Sequence, residues 1–88
     1  MREKFREYLI SQGYKIITPK GKPSTVGDYI NRVDNVCKYE GMTYETLASN
    51  IGHILSEYEV GGKKEALGRK SHNAVINALR RFREFIDN

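Results

Sequence analysis

The most informative stretch of the sequence is GRKSHNAVINALRRFREF at residues 68–85, because one helix there combines an apolar side with many cations. Its apolar residues recur at the spacing of one helical face, and they are Val75, Ala78, Leu79, Phe82 and, just beyond the stretch, Ile86. The opposite face carries amides and charges, namely Asn73, Asn77, Arg80, Arg81 and Glu84. Such a helix buries one side and offers groups that pair with phosphates and base edges, so nucleic acid is the first partner to consider.

Length and composition limit what the rest of the chain can add. Eighty-eight residues make one domain with a small core, in which a buried substrate cavity is not expected. No apolar run approaches the roughly 20 residues of a membrane span, and the polar start MREKFREY is unlike a signal peptide. We therefore expect a cytoplasmic protein without a membrane or small-molecule partner.

Metal and thiol chemistry are not expected either. Cys37 is the only cysteine, and with His53 and His72 it does not make a zinc ligand set. The thiol is predicted to be buried on the apolar face of a helix rather than reactive. We expect no cofactor and no metal.

Charge is unevenly distributed along the chain, although its net value is a modest +4. Residues 13–23 hold three lysines and no acid, and residues 61–88 hold seven cations against three anions. Between residues 24 and 60 the sign reverses, with two cations against six anions. Positive ends that converge in the fold would give the electrostatic footprint of a nucleic-acid binder.

Four helical patterns account for nearly every residue. The first covers residues 2–12 and stops at Gly13; the second is capped by Ser24 or Thr25 and stops at Gly41. Residues 43–59 predict a helical turn and then a helix from near Asn50, and the last helix is predicted to start at an N-cap Ser71. Basic segments at 13–23 and 61–70 connect them. The pattern predicts a compact all-α domain of four helices in an orthogonal or bundle-like arrangement.

The same residues form no recognisable catalytic motif. The sequence Gly61-Gly62-Lys63-Lys64 lacks the preceding strand and the Ser or Thr of a P-loop, and no nucleophilic triad is arranged. The carboxylates lie on solvated faces by their spacing, where acid or base work is not favoured. We expect no enzymatic activity from this chain.

The order of these signals resembles the N-terminal core-binding domain of tyrosine recombinases, the SAM-like helical domain of phage and transposon integrases. The similar segments are FREYL, KPSTVGDYINRVDNVCKYEG, the LASNI turn and SHNAVINALRRFREFI. In the last of these, Ser71, Val75, Leu79, Phe82 and Phe85 match the family's helix pattern. The resemblance covers nearly the whole chain, and it implies a domain that clamps one face of duplex DNA without the catalytic domain and its tyrosine nucleophile.

Carried over by position, the resemblance nominates contacts from two helices and the segments before them. They are Lys22, Ser24, Thr25, Asn31, Arg32 and Asn35 from the first, and Arg69, Lys70, Ser71, Asn73, Asn77 and Arg81 from the second. The residues alone favour the start of the last helix, where free backbone N–H groups attract an anion, over Arg80 and Arg81. Asp28 and Asp34 lie on or beside the same surface, so either Arg32 and Lys38 offset them or this helix does not approach DNA.

Two functions follow from this reasoning. The first is duplex DNA binding, directed by sequence or by the backbone, in DNA integration and recombination, with the catalytic domain or other protomers of a recombinase as further partners. The alternative is an interaction protein of a mobile element that uses the acidic region at residues 28–59 to bind a protein.

Overall fold

Helices make up most of the chain in the computed structural model. The structure describes residues 1–14 and 25–88 and, within them, all side chains except those of residues 71 and 72. The helices are α1 (Arg2–Ser11), α2 (Thr25–Glu40), α3 (Tyr44–Ser49), α4 (Ile51–Tyr58), α5 (Glu65–Gly68) and α6 (Lys70–Asp87). These two ranges contain no strand, which confirms the predicted all-α class. The chain has six helices in them rather than the predicted four.

Part of this difference in the number of helices comes from a break between two helices that the sequence also indicates. The predicted turn and helix at residues 43–59 are α3 and α4, which meet at Asn50. Thr43 caps α3, since its Oγ1 accepts a hydrogen bond of 3.2 Å from the Thr46 amide. Upstream, Gly13 and Gly41 follow α1 and α2 with φ of 91° and 66°, a left-handed conformation in which glycine is favoured.

The basic connector at residues 61–70 contains a short helix, α5, that was not predicted. Glu65, Ala66 and Leu67 form helix readily, and Leu67 packs against the core. Only Arg69 separates α5 from α6, and its amide donates a 3.0 Å hydrogen bond to the Glu65 carbonyl. Arg69 is therefore the N-cap of α6 and Ser71 lies inside that helix, so the predicted serine cap was wrong.

The core lies where α1, α2, α4 and α6 meet, with α6 packed most extensively against α2. Phe82 of α6 is fully buried and its ring meets Phe5 edge-on, with 5.1 Å between the ring centroids. Tyr44 of α3 approaches the same ring at 5.6 Å, and Phe85 at 5.9 Å. One aromatic ring thus joins α1, α3 and α6, and the apolar faces expected from helical periodicity are the buried ones.

Several expectations concern other parts of the chain. From residue 15 onward, the predicted basic segment at residues 13–23 lies outside the described residues, as does Ser24. Across residues 1–14 and 25–88, none of the helices combines the length and the apolar character needed to cross a membrane. The described part measures 37 × 25 × 21 Å and forms one small all-α domain.

Candidate nucleic-acid interface

A groove of about 190 Å³ lies between α2 and the start of α6. We call it the α2–α6 groove. Its exposed rim carries polar and aromatic side chains, and its floor is apolar and closed by α4 and α5. The rim consists of Arg32, Asn35, Tyr39 and Lys70, and the floor of Val36, Tyr58, Leu67 and Val75. Three of the predicted DNA contacts, Arg32, Asn35 and Lys70, are therefore brought together by the packing of α2 on α6.

The two cations of this groove are not neutralised by carboxylates in the described part of the chain. Most other cations there are, because Arg2, Lys63, Lys64, Arg69, Arg80, Arg81 and Arg83 each lie within 4.0 Å of a carboxylate oxygen. The described cations without such a partner are Lys4, Arg6, Arg32, Lys38 and Lys70. Arg32 and Lys70 are thus available to an external anion, and they share one concave surface.

Close to two groove residues, Tyr39 and Tyr58, a third cation is already paired with a carboxylate. Lys64 Nζ lies 2.7 Å from both carboxylate oxygens of Glu40, and it is also 5.9 Å and 5.8 Å from the ring centres of Tyr39 and Tyr58. The hydrogen bond to Glu40 raises the pKa of Lys64, so this ammonium stays charged. Glu57 is bound by Lys63 at 2.9 Å, and that hydrogen bond lowers its pKa. Both carboxylates are therefore paired with lysines.

The negative charge of Asp34 would oppose phosphate binding at this surface, but side chains of α1 and α3 bind its carboxylate. Arg2 donates from Nε to its Oδ1 and from Nη2 to its Oδ2, both at 3.1 Å, and the Tyr44 hydroxyl donates at 2.6 Å. Partial burial on its own would raise the pKa of Asp34, but these hydrogen bonds and the charge of Arg2 outweigh it and lower the pKa. The carboxylate therefore serves to join α2 to α1 and α3. Asp28, the other acidic residue on or beside the predicted DNA-contacting surface, is exposed and has no ion-pair partner among the described residues.

We expect Asp34→Asn to lower the free energy of unfolding by about 1 kcal/mol at neutral pH, because the charged hydrogen bonds are only partly shielded from water. A carboxyl whose pKa is lowered by folding stabilises the protein above its unfolded pKa of about 4 and stops doing so as the pH falls through the folded value. The gap between the wild type and Asp34→Asn should therefore close below about pH 4. Urea unfolding at several pH values measures it.

Glu7→Gln is the matched control for that experiment. Glu7 is exposed on α1 and has no ion-pair partner in the described ranges, so its free energy of unfolding should change by less than about 0.5 kcal/mol. An Asp34→Asn variant with the same small change would contradict a stabilising role for the Arg2–Asp34–Tyr44 contacts.

The other predicted contacts that the structure describes are not among the residues that line the groove. Thr25 and Asn31 are exposed on α2, and Arg69 is paired with Glu65 at 3.2 Å. Asn73 is exposed in the first turn of α6 with a left-handed φ of 66°, which asparagine tolerates better than most residues. Lys22 and Ser24 lie outside the described residues, and the Ser71 side chain is not among those described.

Farther along α6, Asn77 and Arg81 are engaged with other side chains. Arg81 Nη1 donates a 3.1 Å hydrogen bond to the Tyr14 hydroxyl. Its Nε lies 2.8 Å from Glu84 Oε2, an ion-pair distance without hydrogen-bond geometry. Asn77 accepts a 3.3 Å hydrogen bond from Arg80, which is itself paired with Glu59. Contact with DNA would require Arg81 to give up at least part of this arrangement.

Sequence reasoning missed Tyr39, the aromatic member of the rim. A signal for it was present, because Arg32, Asn35, Val36 and Tyr39 follow the i, i+3, i+4, i+7 spacing of one helical stripe. Cys37, by contrast, is buried as predicted, and burial raises the pKa of its thiol to about 11. The thiol is therefore neutral at physiological pH.

Comparisons with known proteins found no match, so the function is inferred from the geometry. No protein-family model matches the chain, and no curated protein or solved structure does.

Proposed function

We propose that this chain is a non-enzymatic, duplex-DNA-binding domain that contacts the phosphate backbone through the α2–α6 groove. The observation that carries the proposal is that Arg32 and Lys70 line one groove and lack carboxylate partners among the described residues. Asn35 stands beside them with an amide that can donate and accept hydrogen bonds. Guanidinium, ammonium and amide groups are the usual partners of phosphate oxygens and base edges.

The proposed biological setting is recombination, in which such a domain would hold a phage or transposon integrase on its DNA site. Its support is the resemblance of the helix order and of the SHNAVINALRRFREFI segment to the core-binding domain of tyrosine recombinases. Both helices that the resemblance implicates, α2 and α6, contribute to the groove. The catalytic steps would belong to another domain of the recombinase.

The acidic region at residues 28–59 favours DNA over the alternative of a protein-binding acidic surface. Asp34, Glu40, Glu57 and Glu59 are each bound to a cation from another part of the chain. In that region, Asp28 and Glu45 are the carboxylates without an ion-pair partner among the described residues. The charge that would attract a basic protein partner is therefore largely compensated within the domain.

Binding should depend steeply on salt, because phosphate neutralisation releases condensed counterions. With about four to six phosphates engaged, the slope of log K against log salt should be about −4 to −5. Fluorescence anisotropy with a labelled duplex at several salt concentrations measures the slope. Absence of binding even at low salt would reject the proposed function.

Removing the two groove cations tests where the DNA lies. The double variant Arg32→Ala/Lys70→Ala should weaken duplex binding by about tenfold or more and make the salt slope about 2 units shallower, since roughly one counterion is released per contact. The control Lys4→Ala/Arg6→Ala removes two equally unpaired cations that do not line the groove, and it should weaken binding less. Equal losses in the two double variants would place the DNA elsewhere.

A further inference from the structure

The rim of the α2–α6 groove contains a group that phosphate binding does not require. Tyr39 is 65% exposed, and it is the one tyrosine or phenylalanine of the described residues with most of its surface in water. It lies one turn of α2 beyond Asn35, on the same stripe as Arg32. An aromatic ring beside unpaired cations offers a stacking surface next to anion-binding groups.

The size and lining of the groove restrict what can enter it. Its volume of about 190 Å³ is below the roughly 300–1,000 Å³ of pockets for drug-sized ligands, so it suits a single flat ring system. Val36, Tyr58 and Val75 make the floor apolar and buried. A ligand that matches this lining would have apolar faces and would carry negative charge at the rim.

We propose that the groove receives one unpaired base of a nucleic acid, with its phosphates held by the rim. Tyr39 and the Arg32 guanidinium provide planar surfaces for stacking, and Asn35 can both donate to and accept from a base edge. Lys70 supplies a point charge for the adjacent phosphate. The inference rests on the proposed function, and it makes the preferred ligand a duplex that carries an extruded or unpaired nucleotide.

A fully paired duplex would have to unstack a base before that base could enter the groove, at a cost of a few kcal/mol. DNA in which one nucleotide is already unpaired avoids this cost, so it should bind more tightly than the same duplex without the extra nucleotide. A peptide with an apolar side chain between acidic residues would satisfy the same charges, and the experiment must separate it from a base.

The test compares three labelled DNAs by fluorescence anisotropy: a fully paired duplex, the same duplex with a single-nucleotide bulge, and the same bulge with an abasic nucleotide. The bulged DNA should bind about tenfold more tightly than the paired duplex, because a stacked base contributes at the level of one aromatic contact. The abasic bulge should return to the affinity of the paired duplex. Tyr39→Ala should bring the ratio of bulged to paired affinity close to one, and Tyr39→Phe should restore it, since stacking needs the ring and not the hydroxyl.

The possible outcomes distinguish the inferred binding of an unpaired base from the proposed duplex binding on which it rests. Equal affinity for the three DNAs would overturn the inference and leave duplex binding standing. A preference for the bulged DNA that persists in a Tyr39→Ala variant with the wild-type melting temperature would have the same consequence. No binding to any of the three at low salt would overturn both. Displacement of Tyr39-dependent binding by an acidic, leucine-containing peptide, without any bulge preference, would also overturn the inference and assign the groove to a protein segment.

Discussion

Replacing Phe82 by alanine should lower the free energy of unfolding by about 3–5 kcal/mol. The Phe82 ring is fully buried and contacts the rings of Phe5, Tyr44 and Phe85. Its removal leaves a cavity between α1, α3 and α6 and loses edge-to-face contacts in addition to buried area. Since small domains have total stabilities of about 5–15 kcal/mol, the variant should be partly unfolded at physiological temperature.

Urea unfolding followed by far-ultraviolet circular dichroism measures this loss. Phe82→Leu is the graded comparison, because it keeps most of the apolar volume and should lose much less stability. Tyr39→Ala removes an exposed aromatic ring and should change the free energy of unfolding by less than about 1 kcal/mol. A loss below about 1 kcal/mol for Phe82→Ala would show that this ring is not at the centre of the core.

The second large effect is expected at Gly68, where α5 passes directly over the end of α4. A Cβ atom added to Gly68 would overlap the backbone carbonyl oxygen of Tyr58, which is not the end of a flexible side chain and cannot move aside cheaply. Gly68→Ala should therefore destabilise the domain by about 1–3 kcal/mol, as overpacking of a well-packed interior does. The thermal unfolding midpoint, measured by circular dichroism, should fall.

Gly52 provides the matched control for this substitution. It lies in α4, and nothing is within 4 Å of the position where its Cβ would be. Gly52→Ala should stabilise the protein by about 0.5–1 kcal/mol, because alanine loses less conformational entropy in a helix. The same chemical change thus has opposite signs at two glycines of one protein. A stabilising Gly68→Ala would mean that α5 does not approach Tyr58 closely.

Gly68 also connects stability to the candidate interface. Tyr58 and Leu67 form part of the groove floor, and Lys70 follows two residues after Gly68. Displacement of α5 from α4 would therefore move the start of α6 and Lys70 with it. This geometry explains why a glycine in an apparent connector has a structural role that its sequence neighbours do not indicate.

The sequence predicted the helices well where apolar periodicity was strong. The bounds of α1 and α2 agree with prediction within a residue, and Ile51, Ile54, Leu55 and Tyr58 are buried in α4 as their spacing requires. It did not predict α5, because four residues show no period even though Glu65, Ala66 and Leu67 favour helix, and this short helix packs on its neighbours α4 and α6. Local patterns therefore identified the long helices better than the short one.

The candidate interface could be predicted only in part, for a related reason. Arg32, Asn35 and Lys70 were nominated from sequence, but so were Arg69 and Arg81, which are engaged with Glu65 and with Tyr14 and Glu84. Which cations remain unpaired depends on two kinds of carboxylate. Some are distant in the sequence, and others lie one helical turn away, where several cations compete for them. Side-chain pairing of this kind is decided after the helices have packed.

Helical periodicity in the sequence is enough to predict the all-α class, the apolar face of each long helix and the burial of Cys37, because it places residues on faces without reference to the rest of the chain. The binding of Asp34 by Arg2 and Tyr44 follows from the packing of the helices, as does the groove in which Arg32 and Lys70 lie with Tyr39 between α2 and α6. Ion pairs and concave surfaces depend on the angle and distance between helices. These are set by the packing of the whole core, which no single segment encodes.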